Sequence, residues 1–145
     1  MMKFFFFPFF IYPFFMAQAQ HKGCIFPEHK VEHGFNLMEA RPDGDFENIK
    51  VQKLALDSLS TGFLIWIKKN VPAHRHEFHS ENVYILEGEG KMTLANDTFH
   101  IKAGSYVFIP TNAVHSVIVD ETKGVMKVLS VQSPFFDGTD RVFVE

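Results

Sequence analysis

Three histidines and one glutamate stand at spacings that a metal site requires. His74 and His76 lie in the stretch His74-Arg75-His76-Glu77-Phe78-His79-Ser80-Glu81, and His115 closes the stretch Pro110-Thr111-Asn112-Ala113-Val114-His115. Imidazole nitrogens and a carboxylate oxygen suit one divalent transition metal such as Fe, Mn, Ni, Zn or Cu. In a six-coordinate geometry, His74, His76, Glu81 and His115 would leave positions open. An ion held this way can polarise a substrate oxygen, activate a water or take up dioxygen. Cys24 is the single cysteine, so neither a cysteine-rich metal site nor an intrachain disulfide is available.

The case for convergence rests on strand phase. Side chains two apart on a strand share a face, about 6.6 Å apart along the backbone. His74 and His76 are therefore companions, with Arg75 turned away. Glu81 shares its face with Val83 and Ile85, and His115 with Val117 and Val119. These are core-type neighbours, so each polar group is predicted to point inward, where a carboxylate needs a partner or a metal.

The other candidates carry less. His79 is expected in a turn, as a spare ligand, a donor behind the site or, more simply, a solvated loop residue. His100, between Phe99 and Ile101, should face out. The spacing of His21, His29 and His33 supports no particular geometry. No general acid or base is identified: Tyr84 and Glu87 are near in sequence, but Tyr84 falls on the outer face. Phe63, Trp66 and Phe108 suit either pocket wall or plain core. Lys68 and Lys69 could draw an anion to the mouth, although two solvated lysines are the simpler reading.

The elements that must position these residues read as strands. Short apolar runs begin near Val51 and recur at Gly62–Ile67, Asn82–Leu86, Lys91–Leu94, Thr98–Ile101, Tyr106–Ile109, His115–Val119, Val125–Val131 and Arg141–Val144. Gly88, Gly90, Asn96-Asp97, Gly104 and Pro110 mark turns between them. This is the texture of an all-β sandwich or barrel. No stretch after residue 19 sustains a helical period, and no internal repeat appears.

The chain has 145 residues, enough for one domain with a core, and a net charge of −3. Mild acidity gives no electrostatic footprint for nucleic acid. Residues 1–19 have a basic start, an apolar run from Phe4 to Met16 and the close Ala17-Gln18-Ala19, the pattern of a signal peptide for periplasmic or secreted export. The run is shorter than the roughly 20 apolar residues of a stable membrane span. Three parts follow: signal peptide 1–19, an irregular or edge-strand segment 20–48, and the barrel 49–145.

The spacing His74-x-His76-x4-Glu81-x6-Gly88 resembles the first motif of the cupin superfamily, and Gly104-x5-Pro110-x-Asn112-x2-His115 resembles the second. The 15 residues between them, 89–103, resemble the short inter-motif stretch of small single-domain cupins. Three motif positions differ: Lys68 and Asn112 stand in place of glycines, and Val119 in place of an asparagine. None is a ligand position in the family. The resemblance implies a double-stranded antiparallel β-barrel, or jelly roll, with His74, His76, Glu81 and His115 on a metal. It further implies a small-molecule ligand or substrate, and a homodimer. Cupins include dioxygenases, isomerases, lyases and pure binders, so two readings stand: a metal-dependent enzyme acting on a small oxygen-bearing molecule, or a non-catalytic ligand- or metal-binding module.

Overall fold

The computed structural model describes residues 36–144; the expected signal peptide and Cys24 lie outside them. Ten strands run β1 Ile49–Leu56, β2 Thr61–Ile67, β3 Asn70–Arg75, β4 Ser80–Glu87, β5 Glu89–Leu94, β6 Asp97–Lys102, β7 Tyr106–Ile109, β8 His115–Val119, β9 Met126–Ser133 and β10 Val142–Phe143. One 3-10 turn, Glu121–Lys123, interrupts them. All pairings are antiparallel, in two five-stranded sheets ordered β1-β2-β9-β4-β7 and β10-β3-β8-β5-β6. This is the all-β double-stranded barrel that the sequence predicts.

Alternation builds the interior. Ile67, Val83, Ile85, Met92, Ile101, Ile109, Met126 and Val128 meet between the sheets as one buried cluster. The run in β2 is apolar at nearly every position because both of its faces are covered. Ile65 and Ile67 face the barrel. Leu64 and Trp66 face the other way, into a second cluster with Leu86 that Leu37, Ala40 and Phe46 cover. Trp66 is therefore core, but not of the barrel. Lys68 and Glu87 belong to this outer layer as well. Lys68 Nζ bonds Asp45 Oδ1 at 2.8 Å and the Phe46 carbonyl, and buried Lys127 bonds Glu87 Oε1 at 2.7 Å and the Met38 carbonyl at 2.9 Å. Lys68 thus anchors the 36–48 segment rather than serving a mouth. The described part of that segment, 36–48, forms turns and bends, with no strand.

The turns are cut to fit. Gly88 joins β4 to β5 at φ +84°, and a Cβ there would lie 2.7 Å from Met126 Cα. Asn112 takes φ 63° before β8, a conformation asparagine accepts more readily than most residues. The β5–β6 turn falls on Ala95 and Asn96, one residue earlier than expected, with Leu94 paired to Asp97.

Candidate metal centre

β3 and β8 pair with His74 opposite His115, which puts two imidazoles side by side, ring centroids 4.2 Å apart. His76 follows one residue past β3 and turns toward the same point. The ligand atoms of His74, His76 and His115 all lie within 4.8 Å of one another, and all three residues are buried. The three histidines thus form a possible metal site, brought together by the strands that the alternation indicated. Glu81 comes from β4 in the opposite sheet. Its Oε2 lies 3.6 Å from His76 Nε2 and 3.6 Å from His115 Nε2, and its Oε1 accepts from Ser130 Oγ.

The hydrogen bonds fix the tautomers. His74 Nδ1 meets the Pro72 carbonyl at 2.8 Å, His115 Nδ1 meets the Ala113 carbonyl at 3.0 Å, and His76 Nδ1 meets the Asp140 carbonyl. A carbonyl only accepts, so each Nδ1 carries the proton and each neutral ring keeps its lone pair on Nε2. His76 Nε2 is buried with no hydrogen-bond partner. Metal–nitrogen bonds of about 2.1 Å place neighbouring ligands about 3.0–3.4 Å apart and opposite ones about 4.2 Å apart. With their ligand atoms within 4.8 Å of one another, the three histidines could close on one divalent ion, and Glu81 Oε2 lies 3.6 Å from two of them.

Protonation follows the same logic. Burial, helped by the neighbouring His115, pushes His74 down to about 4, so it is neutral at neutral pH. Burial also works against charge on His76, but the Glu81 carboxylate 3.6 Å away and the bond to the Asp140 carbonyl outweigh it and raise its pKa. Burial opposes the charge on Glu81 too, yet His115, His76 and Ser130 together hold its carboxyl well below the usual carboxylate range.

Beside the site lies a cavity of about 80 Å³ between the sheets, walled by aliphatic side chains from both, with His74, Glu81, His115 and Arg141 on its lining.

His79 departs from the expectation of a solvated loop. It is buried; its Nδ1 bonds the Asp140 carboxylate and its Nε2 the Phe135 carbonyl at 2.8 Å. Both nitrogens face acceptors, so neither is free for an ion. The reason is the segment after β9, which folds back over the His76–Glu81 turn. There Asp140 also accepts from the backbone N–H of Glu77 at 2.8 Å and of Phe78 at 2.9 Å. Within the chain, this segment closes the barrel through β10, which pairs with β3. Phe108 and Tyr84 face outward and are exposed, and Phe63 lines a second cavity. His100 faces out, 3.3 Å from Glu89.

Sequence reasoning missed Ser130, Gln132 and Asp140. The first two had a signal, because they continue the inward phase of Met126 and Val128 on β9. Asp140 had none.

Residues 63–132 match the Cupin domain family. An uncharacterized protein of Aquifex aeolicus is 34% identical over 103 residues, covering 71% of this chain and 84% of that one. Quercetin 2,3-dioxygenase of Bacillus subtilis is 36% identical over 66 residues, 43% of this chain but 20% of the dioxygenase. Among solved structures, a conserved protein with a double-stranded β-helix domain from Klebsiella pneumoniae superposes with a TM-score of 0.64 at 16% identity, covering 78% of this chain and 97% of that one. Fold, paired motifs and relatives agree, and the chain belongs to the cupin superfamily.

Proposed function

We propose that this cupin is a metal-dependent enzyme acting on a small oxygen-bearing molecule, in a dioxygenase, isomerase or lyase type of reaction, with His74, His76, Glu81 and His115 as ligands to one divalent transition metal. The observation that carries this reading is the tautomer pattern: three Nδ1–H groups occupied by carbonyls leave three Nε2 lone pairs facing one buried point. When bound, the ion supplies Lewis-acid charge to a substrate oxygen. The chain's own residues supply the rest. Glu81 stays ionised and offsets the ion's charge, His74 stays neutral, and the aliphatic walls keep water from the reacting atoms.

A non-catalytic binding module is the second reading. It is favoured by the first cavity, which has no titratable side chain on its lining other than His74, Glu81, His115 and Arg141. Ligand uptake without product formation by the metal-loaded protein would select it. Elemental analysis of the full chain purified without a histidine tag tests the metal in both readings. We expect about one equivalent per chain in the wild type and a large loss in His76→Ala; wild-type protein that neither retains nor takes up a metal overturns it.

We also propose export, on the pattern of residues 1–19, to be checked by whether the mature N-terminus begins after Ala19. The homodimer expected from the resemblance has an outer aromatic face, Tyr84, Tyr106 and Phe108, for a second copy to cover; sedimentation of the purified chain decides it.

A further inference from the structure

The interior holds a second unsatisfied atom. Gln132 lies on the inward face of β9, paired across the sheet with Glu81. It is 2% exposed, and its Oε1 is buried without a hydrogen-bond partner. Such an atom calls for a donor. It lines a second cavity of about 190 Å³, walled by Phe63, Ile65 and Phe136. Val51, Ile65 and Arg141 line both this cavity and the one beside the metal ligands, so the two are neighbouring compartments, and Arg141 brings a guanidinium to their shared wall.

Charge points the same way. Lys53 also lines the second cavity, and neither it nor Arg141 has an ion pair or side-chain hydrogen bond among the described residues. Asp137 opposes them, with its Oδ1 already taken by the Thr139 backbone N–H at 2.9 Å and hydroxyl at 2.7 Å. Glu81, on the lining of the first cavity, is already engaged by Ser130, His76 and His115. Within the second cavity, two cations against one carboxylate leave a single positive excess. A carboxylate matches it, whereas a phosphate dianion would be under-compensated. The planar guanidinium suits a carboxylate's two oxygens. A hydroxyl both donates and accepts, so it satisfies Gln132 in either orientation of the amide.

We propose that the two cavities form one binding site for a small hydroxylated carboxylic acid, its carboxylate on Arg141, its hydroxyl on Gln132 and its carbon body against Phe63 and Phe136. This rests on the reading of the site given above and names its ligand class.

Mandelate, phenylacetate and mandelamide form a matched probe series: the second lacks the hydroxyl and the third lacks the charge. Calorimetric titration of the full chain is expected to show mandelate bound about tenfold or more tightly than either. Arg141→Gln, at an exposed position, should erase the preference for mandelate over mandelamide. Gln132→Met should erase the preference for mandelate over phenylacetate and keep the other. The crossed pattern supports the proposal. No binding of mandelate, no preference in the wild type, a preference that survives Arg141→Gln, or displacement of mandelate by inorganic phosphate overturns it. Should Gln132→Met fail to fold, the Arg141 arm decides alone. Metal content is measured on the same samples: wild type without metal defeats the metal reading, while the crossed pattern still decides this one.

Discussion

Ser130 holds one carboxylate oxygen of Glu81 and so aims the other at His76 and His115. Groups that orient a ligand typically change metal affinity by about 10–100-fold when removed. Ser130→Ala should therefore weaken metal binding by about that factor in competition with a chelator, with the circular dichroism of the barrel retained; unchanged affinity would mean that Glu81 is not a ligand. Asp140 does comparable work for His76, through its backbone carbonyl, and for the following turn, through its carboxylate. Burial opposes the ionised carboxylate, but the bonds from His79, Phe78 and Glu77 move its pKa from 3.8 down to about 2. A lowered carboxyl pKa stabilises the fold above 3.8, and that contribution fades as pH falls through about 2. Asp140→Asn lacks it at every pH. The gap in melting temperature between wild type and variant should be full above pH 3.8 and shrink toward pH 2; a gap independent of pH would refute the assignment. His74, Glu81 and His115 were legible in the sequence because strand alternation turns them inward, and His76, one residue past β3, continues that phase. Asp140 was not, because its partner His76 is 64 residues away and only the closed barrel brings them together.

Turns and doubly covered strands were read with unequal success. Gly88 and Gly104 both announce reversals, and both take positive φ, +84° and +89°. Their surroundings differ in a way no local pattern reveals. A Cβ at Gly104 meets nothing within 4 Å, whereas one at Gly88 meets Met126 Cα at 2.7 Å. Gly104→Ala should cost roughly the 1–3 kcal/mol of a strained backbone. Gly88→Ala adds a collision with the β9 main chain and should cost clearly more. Urea unfolding of the pair checks this, and equal midpoints would show that the β4–β5 turn yields. The apolar run of β2 was legible as a strand, but which of its faces meets the site was not. Trp66 and Phe63 look alike in the sequence; only the cover of Leu37, Ala40 and Phe46 over the outer face separates them.

At the scale of the molecule, a barrel of two sheets was readable from runs and turns, and the paired motifs pointed to the same family. The outer layer was not readable. Its segment, 36–48, lacks periodicity and is held by contacts that span the fold, Lys68 to Asp45 and Lys127 to the Met38 carbonyl. The ligand set has one further consequence. His74, His76 and His115 belong to the β3–β8 side, and Glu81 to the β4 side. An ion bound by all four would be a tie between the two layers, in a chain without a disulfide to serve that purpose. Parting the sheets would then require breaking coordinate bonds as well as apolar contacts. Metal would slow the barrel's breathing, and amide hydrogen exchange along β4 and β8 should report when the tie is fastened.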